Sequence, residues 1–207
     1  MNDLANYVPQ NILNLLGELM QLPFLQNFVL GGGTALAFDL GYRRSIDIDL
    51  FTRTTFDTAE TTARLFAALP KVQTVNQTQG SLSLVVGQVK LDLLYHPYPA
   101  INPTRFGANG TRLLSLEDLA AMKVNAVVNR GSKKDFSDLL ALHEAGLLLS
   151  QALDLFCQKY GEAGRLLALR SLLWFEDAES EPDPMYQNGW TWPLVRQQIL
   201  KLGQALL

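Results

Sequence analysis

The chain has 207 residues, with 17 Lys and Arg against 20 Asp and Glu, for a formal net charge of −3. Hydrophobic residues make up 48% and charged residues 18%, which excludes a disordered chain and supplies core material for one large domain or two small ones. A pI near 5.4 argues against a wholly basic nucleic-acid coat protein, and the single cysteine, Cys157, excludes a disulfide framework and a multi-Cys zinc site.

Val8, Ile12, Leu15, Leu16 and Leu19 recur at helical spacing and predict a helix over 9–20, ended by Pro23. Phe28-Val29-Leu30 reads as a strand stopped by Gly31-Gly32-Gly33, with Thr34 as the cap of a short helix over 35–40 closed by Gly41. Residues 45–51 alternate strictly, placing Ile46, Ile48 and Leu50 on a buried face and Ser45, Asp47 and Asp49 on the other. A helix over 58–69 follows, then strands over 72–77, 81–86 and 89–95, the last two joined by the Gly87-Gln88 hairpin turn. Ser115-Leu116-Glu117-Asp118 is a capping pattern that opens a helix over 116–129. A second helix starts at Ser132 or Lys133 and ends near Gly146, a third is capped by Ser150, and a fourth covers 162–175. Residues 176–189 read as a loop, and Pro193 opens a last helix. The reading is an α/β front half, residues 1–112, and a helical back half, residues 113–207.

No apolar run reaches the length of a membrane span, and Asp3 in a non-basic N-terminus argues against a signal peptide, so a cytoplasmic setting and no membrane partner are expected. Charge is unevenly spread. Residues 43–134 carry twelve basic and seven acidic residues, while 135–207 carry five basic and ten acidic. A basic middle in an acidic chain suggests a focused anion site.

Three features carry chemistry. Gly31-Gly32-Gly33-Thr34 lies between a strand and a helix, where glycines let backbone N–H groups approach a phosphate; a plain tight turn is the alternative. Asp47 and Asp49 share one strand face, so their carboxylates can converge on metal ions, and like charges held side by side are costly without a cation. Lys90 and Asp92 share a face of the 89–95 strand. If that strand lies beside 45–51, Asp92 becomes a third carboxylate of a two-metal site suited to phosphoryl chemistry.

A Gly-Gly-Thr turn, an Asp-x-Asp strand and a later third Asp resemble the nucleotidyltransferases of the polymerase β superfamily. More narrowly, Leu30–Phe51 and Leu114–Leu139 resemble the AbiEii/AbiGii-type toxin nucleotidyltransferases, with a weaker echo at Trp174–Glu179. The resemblance implies an α/β (α+β) fold, a minimal nucleotidyltransferase mixed β-sheet with flanking helices, followed by a C-terminal helical bundle that completes the active-site cleft. It implies Mg²⁺-dependent transfer of an NMP from an NTP to an acceptor hydroxyl, in a toxin–antitoxin pair, with a tRNA end as acceptor and a cognate antitoxin as partner.

Residue by residue, the resemblance implies that Gly32, Gly33 and Thr34 hold the triphosphate. Asp47 and Asp49 bind both of two Mg²⁺ ions, and Asp92 binds one and takes the proton of the attacking hydroxyl. Arg43 and Ser45 contact phosphate or order the loop, Lys123 and Lys134 neutralise phosphate charge, and Asp135 positions Lys134 or the acceptor. Arg130 and Asp138 complete that motif or tie two helices together. Tyr42 stands where family members often have His, and the chain is shorter than many members, which puts the acceptor region in question. The overall acidic charge favours a second reading, a protein or small-molecule acceptor; a third is a catalytically silent nucleotide-binding module of the same fold, which would be expected to have lost an acid of the triad, and all three are present. His96 and His143 read as surface or supporting residues, Trp174, Trp190 and Trp192 as packing, and Glu176–Asp183 as a solvated acidic loop or a face for a basic partner.

Overall fold

The computed structural model describes residues 6–107 and 110–207; Asp3 lies outside them. In chain order the elements are α1 (Gln10–Gln21), β1 (Val29–Leu30), α2 (Gly32–Leu40), β2 (Asp47–Thr52), α3 (Thr58–Ala68), β3 (Val72–Thr78), β4 (Ser81–Val86), β5 (Val89–Tyr95), β6 (Arg105–Phe106) and β7 (Arg112–Leu113). The helices α4 (Leu116–Asn129), α5 (Lys133–Glu144), α6 (Leu149–Tyr160), α7 (Arg165–Ser171), α8 (Glu176–Glu179) and α9 (Trp192–Gln204) follow.

The strands form one mixed sheet in the order β3-β4-β5-β2-β1-β7-β6. β2 and β5 are parallel neighbours at its centre, with Asp47 opposite Lys90, Asp49 opposite Asp92 and Phe51 opposite Leu94. Period-2 alternation then fixes what each face carries. Ile48, Leu50, Leu91 and Leu93 are fully buried on one face, in register with Leu82 and Leu84 of β4. Each such side chain contributes about 1.5–3 kcal/mol by leaving water. The acids and their neighbours take the other face.

Helix starts follow side-chain chemistry where a hydroxyl is available. Ser115 Oγ accepts from the Asp118 N–H, and Ser132 Oγ accepts from the Asp135 N–H, as the sequence predicts. Thr34 does not cap α2. The helix begins at Gly32 with Gly31 as its cap, because Gly32 adopts φ +62°, and Thr34 falls inside the first turn. Its hydroxyl bonds instead to the Asp47 carbonyl and lies 2.9 Å from Ser45 Oγ, fastening α2 to the approach of β2. Ser150 is likewise inside its helix: Leu148 is the cap, its N–H donates to the Gln151 side chain, and α6 starts at Leu149, two residues earlier than a Ser150 cap requires. Ile46 precedes β2 and is 46% exposed rather than buried, and the predicted 162–175 helix is a 3₁₀ turn at Glu162–Gly164 followed by α7. The two-residue strands β6 and β7 and the single turn α8 are too short to show a period.

Buried polar latches join front to back. Asp118 of α4 accepts from Lys159 of α6 at 2.7 Å and from the Ile101 and Asn102 N–H groups, holding the segment after β5 against the helices. Arg112 donates to the carbonyls of Met20, Leu25 and Phe28 and so ties β7 to the segment between α1 and β1. α4 packs on α5, α6 and α7, and α5 packs on α2 and α9. Trp192 is buried against Phe136 and Phe175, whereas Trp174 is 54% exposed and packs little. Among the described residues no single helix is long and apolar enough to cross a membrane; α5 and α6 pass a length and composition test only as a pair bent by 114°.

Candidate active site

The acid face of β2 and β5 forms the floor of a cavity of about 550 Å³. Asp47, Asp49, Lys90 and Asp92 rise from the floor, α4 and α5 supply Lys123 and Lys134, and the segment Glu181–Met185 forms a rim. The three predicted carboxylates therefore open into one cleft. Gly33 and Ser45 also line it, while Gly32 lies against Asp49 from the α2 side.

The glycines are required by close approach. A Cβ on Gly32 would sit 2.0 Å from Asp49 Oδ2, and one on Gly33 would sit 2.1 Å from Arg43 Nη2. The turn thus brings the backbone at the start of α2 against a carboxylate and a guanidinium, an arrangement that any side chain would break.

Asp138 organises the wall facing the acids. It is fully buried, and its carboxylate accepts from Arg43 Nε at 2.7 Å, Arg43 Nη2 at 3.1 Å, Lys123 Nζ at 2.5 Å and the Tyr42 hydroxyl. Burial works against its charge, but Arg43 and then Lys123 hold its carboxyl below the usual carboxylate range. Asp135 accepts from Lys123 at 3.1 Å, from Arg130 Nε at 2.7 Å and from Ser132 at 2.8 Å. Asp135 therefore positions Lys123 and Arg130, not Lys134, and Arg130 pairs with Asp135 rather than Asp138. Lys123 is a buried, doubly paired ammonium, so its charge is already engaged before any phosphate arrives. Arg43 orders the loop through Asp138, and Ser45 through Thr34. Tyr42, the departure from the family's His, supplies a hydroxyl to Asp138; burial and the Asp138 charge raise its own pKa well above the ordinary value.

Lys134 is exposed at the cleft, as is Arg44, and among the described residues neither has an ion-pair partner. Lys90 Nζ lies 2.7 Å from Asp92 Oδ2. Burial pushes the Asp49 carboxyl up; Lys123 opposes this, and the negative charges of Asp92 and Asp47 add to it. Asp92 Oδ1 is the one buried side-chain oxygen or nitrogen among the described residues with no hydrogen-bond partner.

Among the described residues no three His, Cys, Asp or Glu side chains are gathered into a ready metal cage. The donor chemistry nevertheless fits a divalent cation. Oxygen ligands alone are present, one carboxylate oxygen is buried and unpartnered, and Asp49 faces like charges with no direct cation of its own.

Some participants escaped the sequence reading. Arg44 has no role in the sequence reading, Lys90 is only placed on its face, and the rim Glu181–Met185 falls in the predicted 176–189 loop with no link to the cleft. The acidic run is not simply solvated: Lys133 Nζ donates to the Glu181 carbonyl at 2.7 Å and to Asp183 Oδ1 at 2.8 Å. The Arg44 N–H donates to the Met185 carbonyl at 2.9 Å, so the segment is strapped to both halves of the cleft. Nothing local in a Pro-rich acidic stretch signals that position. The i, i+3 spacing of Asp135 and Asp138 was the one available signal for the buried cluster.

The sequence model of the nucleotidyl transferase AbiEii toxins of type IV toxin–antitoxin systems matches residues 14–196. An uncharacterized protein of Aquifex aeolicus is 32% identical over 170 residues, covering 80% of this chain and 82% of that protein. A crystal structure of a nucleotidyltransferase from Helicobacter pylori superposes with a TM-score of 0.58 at 15% identity, covering 95% of this chain and 92% of that one. MenT4, a nucleotidyltransferase toxin of Mycobacterium tuberculosis, superposes with a TM-score of 0.57 at 12% identity, covering 92% and 82%. At these identities the two structures speak for the fold.

Proposed function

The chain belongs to the AbiEii family of nucleotidyl transferase toxins, and on that premise we propose that it moves an NMP from an NTP to an acceptor hydroxyl and releases pyrophosphate. The observation that carries the reading is Asp49 opposite Asp92 at the centre of two parallel strands, facing a cleft rimmed by unpaired cations. Asp47, Asp49 and Asp92 would hold two Mg²⁺ ions, which supply positive charge to the leaving oxygen and acidify the attacking hydroxyl.

The chain's own residues do the rest. Lys134 and Arg44 bind the polyphosphate, and Lys90 exchanges its pair with Asp92 for a phosphate oxygen. Asp92 Oδ1 takes the proton of the acceptor hydroxyl as the new O–P bond forms and the bond from the α-phosphorus to pyrophosphate breaks. Asp135 and Asp138 fix Lys123 and Arg130 beside the acids, so the field is set before substrate binds. Within this reading, residues 1–112 carry the metal ligands and residues 113–207 close the cleft. The toxin family supports a tRNA end as acceptor, a cognate antitoxin as partner and a cytoplasmic setting.

The test is incubation of the protein with each α-labelled NTP, Mg²⁺, total RNA and lysate protein. Label should enter RNA and be lost in Asp49→Ala. Label confined to protein would replace the acceptor, and label in neither fraction with any NTP would overturn the transfer itself.

A further inference from the structure

The acid face of β2 and β5 does not end at the carboxylates. Read along the two strands it passes from Asp47 and Lys90, through Asp49 and Asp92, to Phe51 and Leu94. At about 3.3 Å per residue, Phe51 lies some 6.5–7 Å beyond Asp49. There a second cavity of about 340 Å³ opens under α4, lined by Phe51, Leu94, His96, Met122 and Tyr160, with Asp49 and Asp92 at its inner end. Asp49 and Asp92 thus line both chambers, and the second adds aromatic surface that the first lacks.

The first chamber accounts for a whole NTP. It is the larger, it holds the unpaired cations, and its mouth carries apolar surface in Ile46 (46% exposed) and Met185 (52% exposed) for a nucleobase. In-line displacement needs the attacking hydroxyl on the side opposite the leaving pyrophosphate. With the NTP assigned to the first chamber, the second is the remaining space beside Asp49 and Asp92. Beyond the acids its lining sets the apolar and aromatic side chains of Phe51, Leu94, Met122 and Tyr160 beside Asn125, Asn129 and the paired cations Lys123 and Arg130. Burial, with the nearby Lys159 charge, lowers the His96 pKa to about 4, and its ring bonds to the Tyr160 hydroxyl at 2.9 Å, so the histidine is neutral at working pH.

The second chamber adjoins another. Phe51, His96 and Met122 are shared with a third cavity of about 280 Å³ that reaches the surface at Arg53, Tyr98 and Phe106. Phe106 is 70% exposed, and Tyr98, which packs on Tyr160 and His96, still leaves 41% of its surface exposed. Arg53 is exposed and forms no ion pair among the described residues. Aromatic platforms with an interposed cation are what successive bases and the phosphate between them require.

Resting on the transferase reading, we infer that these two chambers in series are the acceptor channel, taking the last two nucleotides of a single-stranded polynucleotide. The terminal nucleoside lies against Phe51 and Met122 with its hydroxyl toward Asp92, the penultimate base meets Tyr98 and Phe106, and Arg53 meets the phosphate between them.

The experiment uses the full chain with Mg²⁺ and two acceptor probes, a fluorescent ten-nucleotide oligoribonucleotide with a free 3′-hydroxyl and free adenosine. Met122→Trp fills the inner chamber without touching the first one. It should weaken oligonucleotide binding and transfer at least tenfold while NTP binding stays within twofold. Phe106→Ala, an exposed change that leaves folding intact, should raise the oligonucleotide KM about tenfold. Arg53→Ala should raise it about fivefold with a shallower salt dependence, and neither should affect transfer to adenosine. Equal loss of NTP binding in Met122→Trp would make the chamber part of the donor site and overturn the inference. So would unchanged oligonucleotide KM in both Phe106→Ala and Arg53→Ala, or a wild type that binds NTP and labels only protein. A wild type that binds no NTP would instead sink the transferase reading, and this inference with it.

Discussion

Removing the charge of Asp138 tests whether the buried cluster holds the cleft together. In Asp138→Asn the side chain keeps its size, but one carboxylate oxygen becomes an NH₂ group. Each oxygen now accepts from two donors, Oδ1 from Arg43 Nε and Tyr42, Oδ2 from Arg43 Nη2 and Lys123. Whichever way the amide turns, a donor meets donors. Lys123 retains Asp135 at 3.1 Å, so the uncompensated charge is that of Arg43, whose side chain is 4% exposed. One stranded buried charge costs about 3–5 kcal/mol, not twice that. With a urea slope of about 2 kcal/mol per molar, the unfolding midpoint should fall by about 2 M at pH 7.5, read by tryptophan fluorescence and circular dichroism. The pair Arg43→Met with Asp138→Leu, which removes the charges together, should recover more than half of the loss. A single-variant loss below about 1 kcal/mol would refute the reasoning, because Arg43 would then have another partner and the cluster would not set the wall of the cleft.

Three further outcomes follow from the same geometry. Lys134→Ala should leave stability within about 0.5 kcal/mol, since the side chain is exposed, yet slow nucleotide transfer by about 2–4 kcal/mol in transition-state terms; unchanged single-turnover rates would remove Lys134 from the site. Gly32→Ala places a Cβ 2.0 Å from Asp49 Oδ2 at a φ of +62°, so transfer should fall at least about 100-fold, and a variant with wild-type kcat would show that Asp49 need not stay where it is. His96 titrates near 4 in the fold against about 6.5 when unfolded, so the unfolded chain takes the proton first. Its contribution is therefore present above about pH 6.5 and lost as the pH falls toward 4, by about 1–2 kcal/mol once its partial exposure is allowed for. Urea midpoints at pH 7.5 and 4.5 should converge in His96→Phe relative to wild type; an identical pH slope would contradict this.

The acids were legible in the sequence because a strand has a period of 2, so Asp47 and Asp49 had to share a face with Ile48 and Leu50 beneath. What the pattern lacked was the neighbour. Only the parallel register puts Asp92 opposite Asp49, and a strand's partner is set by the connection through α3, β3 and β4 rather than by its own residues. Thr34 was misread for a related reason: a hydroxyl before a helical run is a cap by local rules, but Asp49 and Arg43 crowd the backbone there, and glycines let α2 start earlier. The largest omission was tertiary. Asp138 meets Arg43 across 95 residues of sequence, and the rim at Glu181–Met185 meets Arg44 across more than that. Such contacts leave no local trace beyond an Asp at i and i+3.

The distribution of the cations explains why the sheet and the helices act together. Three carboxylates on one face of adjacent strands repel one another. Of the cations near them, Arg43, Arg44 and Lys90 come from the front of the chain, whereas Lys123, Arg130 and Lys134 come from α4, α5 and the turn between them. The two sets are joined by Asp138, which binds Arg43 from one and Lys123 from the other. The buried carboxylates at the helical wall are therefore not a third anionic centre competing for metal. They are fully engaged anchors that hold positive charge beside the acids, leaving Lys134 and Arg44 as the cations at the cleft without ion-pair partners among the described residues. A site built this way sets carboxylates and open cations on opposite walls, and it loses that division if either half of the chain is displaced.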